Sequence, residues 1–226
     1  MDHKSLKSSD VILDLVVHTM SRPLVLTLKL DKGSTELLTS LRANYFPKHR
    51  NHLNAHLTLF HAIPPDRRGE LDRLLQDICK HQKEFNISIA RPSRMGKKGV
   101  MLHIRESGSR GVIEGIHSSI VRDLSKVEKG PPPGSKQYAE AAERGGRRGS
   151  ASPLTDQDLE PLRSPHVTIL NKAEDEGQVE DCHRDLVDLF NKMDGRQKHG
   201  TAIGLQLWEY NHGPWIHLHD YSFVSH

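Results

Sequence analysis

An α+β fold of two lobes, related by a pseudo-two-fold repeat, is predicted by three features of this 226-residue sequence. Short alternating segments that read as strands are separated by apolar stripes at helical spacing. The order strand, helix, strand, turn, strand occurs twice. Each copy opens on a histidine followed two residues later by a threonine, in HLTL at His56 and HVTI at His166, 110 residues apart. Two units with one element order can pair about a two-fold axis. Antiparallel sheets would then face each other across a central cleft, with helices on the outside.

The elements follow in order. Leu24, Leu26, Leu28 and Leu30 alternate with Val25, Thr27 and Lys29, a half-buried strand. A short helix is expected over Thr35–Ala43. A strand over Leu53–Ile63 carries HLTLF, and Pro64-Pro65 stop it. Leu71, Leu74, Leu75 and Ile78 make one helical stripe within Glu70–Lys83. Phe85–Ala90 and Val100–Arg105 read as a strand pair around a basic turn at Met95–Gly99. Ile113, Ile116, Ile120 and Leu124 line a helix over Gly111–Lys126. After Pro165–Lys172, which holds the second motif, come a helix over Gln178–Met193 and strands at Thr201–Tyr210 and Trp215–Phe223. Gly99–Arg105 (GVMLHIR) answers Gly213–His219 (GPWIHLH), 114 residues on.

Between the copies the composition changes. Residues 129–150 read KGPPPGSKQYAEAAERGGRRGS, with three consecutive prolines and five glycines. Such a stretch has nothing to bury and reads as a mobile loop, bounded at 129–152. Its five Lys and Arg outnumber its two Glu by three, matching the +3 of the whole chain. The chain is thus one domain over 1–226, with lobes at about 23–128 and 153–226 that could exchange strands, and with a frayed, polar 1–10.

Composition limits the function classes. The hydrophobic fraction is 35% and the charged fraction 27%, ordinary for a globular protein with a wet surface. Aromatic residues make up only 5%, so the core must rest on Leu, Ile and Val. A pI near 8.8 favours an anionic ligand but falls short of the dense basic patch of a dedicated nucleic-acid binder. Cys79 and Cys182 provide neither a disulfide framework nor a CxxC metal motif. No apolar run is long enough to span a membrane, and the N-terminus lacks the profile of a secretory or transit peptide. A cytoplasmic, or nuclear, monomer is expected. No GxGxxG, P-loop or GxSxG is present.

The paired motifs carry the chemistry. On a strand, His56 and Thr58 share one face and Leu57 and Leu59 the other; His166 and Thr168 stand likewise opposite Val167 and Ile169. The apolar faces can pack on helices, which leaves the His and Thr faces to line a polar cleft. Opening or forming a cyclic phosphodiester needs a base for the attacking oxygen and an acid for the departing one. Two imidazoles serve, one neutral and one protonated, because their pKa lies near working pH. Two hydroxyls can donate to the phosphate oxygens as charge builds there. Neither a metal nor a cofactor is called for. The provisional assignment is His56 as acid and His166 as base. The alternative is that the histidines are ordinary satisfied residues and the threonines merely favour strand.

These motifs resemble the paired signatures of the two-histidine phosphoesterases, the superfamily of 2′,5′ RNA ligases and cyclic phosphodiesterases. Leu154-Thr155-Asp156-Gln157-Asp158 ahead of Pro165–Lys172 is similar to an RNA-ligase-like branch of it. The resemblance covers roughly Pro23 to Phe223 without the Pro/Gly loop. It implies hydrolysis of 2′,3′-cyclic phosphates on nucleotides or RNA ends, or reversible joining of RNA through a 2′,5′ linkage. RNA termini or small cyclic nucleotides would be the partners. A non-catalytic nucleotide- or RNA-binding module using the same cleft is the alternative.

Strand parity adds further candidates. Val100, Leu102 and Ile104, with Ile216 and Leu218, should pack under the helices. His103, Arg105, Trp215, His217 and His219 should then face the cleft, where Arg105 could pair with a phosphate and Trp215 stack on a base. His217 and His219 have a spacing some metal sites use, but Asp220 is expected on the opposite face, and no metal site is assigned. Lys97-Lys98 and Arg147-Arg148 could touch RNA phosphates or merely be solvated. Deleting 129–150 should leave Tm nearly unchanged, because the loop buries little. It should weaken binding of longer RNA more than of a mononucleotide, most at low salt. Unfolding on deletion, read by circular dichroism, would contradict this.

Overall fold

The computed structural model describes residues 22–108, 111–126 and 151–225. The segments read above as a frayed N-terminus and, at 129–150, as a mobile loop lie outside the described residues. Seven strands form one antiparallel sheet: β1 (Leu24–Leu30), β2 (Leu57–Ile63), β3 (Phe85–Arg94), β4 (Val100–Glu106), β5 (His166–Leu170), β6 (His199–Tyr210) and β7 (Trp215–Ser222). Their order is β2-β1-β6-β3-β4-β5, and β7 pairs with β6 off this path. The α+β class is as expected, but the two facing sheets are continuous through the β6–β3 pairing.

The repeat is present with a different phase. Exchanging β1, β2 and β3 for β4, β5 and β6 turns β2-β1-β6 into β5-β4-β3, so the two-fold runs through the β3–β6 seam. The counterpart of β4 is therefore β1, and β7 is an addition. In register terms, Thr27 stands opposite Thr58 as Met101 stands opposite Thr168. The alignment of Gly99 with Gly213 misses this because hairpins β3–β4 and β6–β7 look alike, whereas the repeat is set by non-local pairing. β6 pairs with β1 on one side of the seam and β5 with β4 on the other, so the C-terminal part of the chain contributes to the sheet on both sides.

Helices cover the outer face: α1 (Lys32–Tyr45), α2 (Arg68–His81), α3 (Val112–Leu124), a one-turn α4 (Asp156–Leu159) and α5 (Glu176–Lys192). Asp31 caps α1 by accepting from the Ser34 N–H at 2.9 Å. Pro47 follows its extended C-cap residue Phe46. Gly200 of β6 has no room for a side chain, since a Cβ would clash with Ser34 Oγ, and α1 is thereby seated closely on the sheet. Leu71, Leu75 and Cys79 turn inward from α2, and Val179, Cys182, Leu186 and Phe190 from α5. α3 begins after Gly111, whose φ of +82° suits glycine. The core is the expected Leu, Ile and Val set with Phe60, Phe85, Phe190 and Phe223.

β2 starts at Leu57, four residues later than expected, so His56 sits on the approach to the strand. β2 is an edge strand, and α4, unpredicted by the sequence, caps that edge. Asp158 accepts from the backbone N–H of His61 at 2.7 Å and of Ala62 at 2.9 Å. The carboxylate is 1% exposed. Burial opposes its ionisation, but hydrogen bonds from the His61 side chain and the two N–H groups outweigh this and hold its pKa below the ordinary value. No described helix is long and apolar enough to cross a membrane.

Because the folded-state pKa of Asp158 is depressed, its stabilisation is complete above the unfolded value of about 3.9 and is lost as pH falls through the lower folded value. Asp158→Asn should cost about 2 kcal/mol at pH 7, the scale of charged hydrogen bonds to buried donors. The gap to wild type should narrow as acid titrates the wild-type carboxylate. Urea titrations at pH 7 and below pH 4 check it, and an equal gap at both would contradict the account.

Candidate active site

The sheet curls until Cα atoms of its end strands β2 and β5 lie within 8 Å of each other. The two HxT motifs are carried on those strands. Each histidine is oriented in the same way: His56 Nδ1 lies 2.7 Å from the Asn54 carbonyl, and His166 Nδ1 lies 2.8 Å from the Ser164 carbonyl. A carbonyl oxygen only accepts, so each Nδ1 carries its proton and each neutral ring keeps a lone pair on Nε2. Thr58 and Thr168 are half-buried on the same strands.

The surroundings of the first histidine push its pKa down to about 4. Burial is the main cause; the Asn54 carbonyl works against it, and the charges of Arg42 and His61 add to it. On its cleft side the imidazole rests against Trp215, ring centroids 4.6 Å apart.

Around the second histidine, His103 of β4 is the register partner of His166. Both its ring nitrogens are engaged, Nε2 with Ser93 Oγ and Nδ1 with Ser164 Oγ, each at 3.0 Å. Burial lowers its pKa, and the neighbouring His166 and Arg105 lower it further. Arg105 is on the same face of β4 and exposed. Met101, His103 and Arg105 alternate with the buried Val100, Leu102 and Ile104, as parity predicts.

On the β1–β6–β7 side, the cleft floor is a polar network. Lys29 Nζ donates to Asp220 Oδ2 at 2.7 Å, Gln206 Nε2 donates to Oδ1 at 3.0 Å, and His217 Nε2 lies 2.7 Å from Oδ1. Burial opposes ionisation of Asp220, but these partners prevail and hold its pKa down to about 2. His217 meets the edge of Trp208 at 5.0 Å, and Trp208 lies 6.3 Å from Trp215. Trp208 Nε1 also donates to Thr27 Oγ1 at 2.9 Å, and Thr27 is the register partner of Thr58.

Three expectations fail in β7. A bulge between the Leu207 and Trp208 pairings leaves Leu218 without a partner. Beyond it parity flips: His219 stands opposite the buried Leu207, with its ring on Tyr221 at 4.6 Å. Tyr221 donates to Asp72 of α2, so His219 is on the helix side and outside the cleft. The same flip brings Asp220 onto the face of His217, not the opposite one. Ile216 is 43% exposed instead of packed, while Leu218 does pack against the core. A bulge moves only the residues beyond it, so the set did not shift as one.

Sequence reasoning missed Trp208, Thr27 and Lys29, although the alternation of the first and sixth strands places them on the cleft face. It also missed Arg42, which no local pattern marks, and it gave Ser164, the residue before Pro165, no part in holding His103 and His166. Lys97 pairs with Glu176 at 2.8 Å, away from the motifs. Arg147-Arg148 lie outside the described residues. Among the described residues, no three His, Cys, Asp or Glu side chains converge as a metal site would require.

This curled antiparallel sheet, flanked by helices, with a His-x-Thr pair on each end strand, is the architecture of a two-histidine phosphoesterase. The chain belongs to the 2′-5′ RNA ligase superfamily, whose sequence profile matches residues 30–214. Its fold is similar to that of TT0787 from Thermus thermophilus, at 12% identity and TM-score 0.53, over 89% of this chain and 97% of that one. A crystal structure described as a phosphoesterase aligns at 16% identity and TM-score 0.50, over 90% and 99% of the two chains. Escherichia coli LigT complexed with 3′-AMP aligns at 16% identity and TM-score 0.42, over 90% and 98%. No curated protein sequence matches the chain.

An imidazole titration followed by NMR should find His56 losing its proton near pH 4, well below the 6.5 of an ordinary histidine. A midpoint at or above 6.5 would contradict the burial and charge argument.

Proposed function

We propose that this protein is a metal-independent phosphodiesterase that opens 2′,3′-cyclic phosphates on nucleotides or RNA ends. The observation that carries the reading is the matched pair of imidazoles, each with Nδ1 fixed by the carbonyl two residues back, on strands whose ends approach each other. The roles run opposite to the provisional assignment. Burial and the Arg42 charge favour neutral His56, whose Nε2 lone pair suits a general base. His166 is then the acid. His56 takes a proton from water as the water oxygen bonds to phosphorus. The P–O bond to one ribose oxygen breaks, and His166 protonates that oxygen. Thr58 and Thr168 donate to the phosphate oxygens as charge accumulates there.

The same geometry accepts a second nucleophile. When the 5′-hydroxyl of a second RNA end replaces water and O3′ leaves, the product is a 2′,5′ linkage. Trp215 and Trp208, the only two tryptophans in the chain, line the cleft beside His56 and offer aromatic surface to a base. Arg105, exposed on the cleft face, is placed for a phosphate. His217 is half-exposed beside Trp208 and faces the same ligand. His103, with both nitrogens engaged, holds Ser164 and through it the carbonyl that orients His166.

Nucleoside 2′,3′-cyclic phosphates should be turned over with a bell-shaped pH dependence and full activity in EDTA. His56→Ala and His166→Ala should each lower kcat by about two orders of magnitude or more. Trp215→Ala should raise KM and also lower kcat, because the ring that would stack on a base also supports His56. Unchanged turnover in either histidine variant with the fold intact would overturn the proposal. Tight nucleotide binding without turnover by wild type would leave the binding module in its place.

A further inference from the structure

Arg42 is the one arginine of α1, it turns inward, and it is 6% exposed. Its pKa is pushed down to about 10 by burial, with no carboxylate among the described residues acting on it. Buried arginines are ordinarily paired, because an uncompensated cation in a low-dielectric interior is costly. Here the compensation is made of neutral groups. Nη1 donates to the Thr168 carbonyl at 2.7 Å, Nε donates to Asn51 Oδ1 at 3.0 Å, and the guanidinium lies 3.7 Å over the Phe46 ring.

Those partners are not random. Thr168 is the threonine of the second motif, on the free edge of β5, and Asn51 begins the segment that delivers His56. One helical turn before Arg42, Thr39 Oγ1 accepts from the N–H of Ala55, the residue before His56, at 3.2 Å. α1 therefore grips the approach to the first motif and the backbone of the second at once. α1 in turn is seated on β6 through Ser34 and Gly200.

We propose that Arg42 is a positioning residue that braces the two motif strands from behind the cleft and sets a fixed positive charge near the His56 imidazole. An arginine suits both tasks. Its rigid fork reaches two partners in different directions, and its charge persists at any working pH even after burial. The groups that act on His56 are Arg42 from α1 and His61 from β2, and Trp215 from β7 packs on it without a charge. An apolar residue at position 42 would be cheaper to bury. The retained cation is understandable if its effect on the site outweighs that cost.

The catalytic part of this inference rests on the phosphodiesterase reading; the electrostatic part does not. In Arg42→Met, the NMR titration midpoint of His56 in the ligand-free protein should rise by about half a pH unit or more, since a nearby cation is removed. In Arg42→Lys the midpoint should stay put, because the charge remains. The loss of the fork should still lower kcat about five- to tenfold with little change in KM. Asn51→Ala, which removes only the Nε partner, should lower kcat in the same way, and Arg42→Gln carries the same titration if Arg42→Met does not fold. An unmoved His56 midpoint in folded Arg42→Met would overturn the electrostatic claim. Wild-type kcat in both Arg42→Lys and Asn51→Ala would overturn the bracing claim. If wild type turns over no cyclic phosphate, the functional reading fails while the titration still decides the role of the charge.

Discussion

β3 and β6 pair antiparallel from Phe85 opposite Ala202 to Ser88 opposite His199, and that short seam positions everything in the cleft. It joins β2-β1-β6 to β3-β4-β5 about the two-fold. Each motif strand is thereby two strands away from its own side of the seam. Sheet twist and coiling then carry both ends toward the same side. A histidine placed at one end acquires a counterpart from the other half of the chain without any contact between the motifs in sequence. The outer helices hold the curl, and α1 does so most directly, since it touches β6, β5 and the approach to β2.

What the curl encloses is chemically uneven. The β1–β6–β7 wall holds a neutralised network of Lys29, Gln206, His217 and Asp220, with the two tryptophans leading from it to His56. The β3–β4–β5 wall holds His166 behind a serine–histidine–serine chain, with Arg105 exposed above. One imidazole thus rests on an indole near a buried guanidinium, while the other stands opposite a histidine held between two serine hydroxyls. Differences of environment of this kind separate an acid from a base when the two side chains are identical. The repeat makes the pair; the departures from the repeat make them inequivalent.

Much of the architecture was legible because period-two and period-3.6 patterns are local. The leucines of β1, the stripes of α2, α3 and α5 and the parity of β4 follow from sequence alone. The four candidate site positions His56, Thr58, His166 and Thr168 could be singled out because the motif occurs twice. What failed depends on partners far away in sequence. The equivalence of β4 with β1 is visible only in strand pairing. The bulge at Leu218 is one unpaired residue, and it alone takes His219 out of the cleft and brings Asp220 in. Arg42 is a lone charge in a mixed stretch, and Asp158 is one of three acidic residues in a polar one. Their roles come from the edge N–H groups of His61 and Ala62 and from the Thr168 carbonyl, all remote in sequence.

The central claim is that one phosphate meets both histidines. Inorganic phosphate or a nucleoside monophosphate titrated into the free protein, with the His56 and His166 imidazole resonances followed by NMR, tests it most directly. The account predicts that both rings shift along one isotherm that saturates at one equivalent. Response of a single ring, or two isotherms with different Kd, would contradict it.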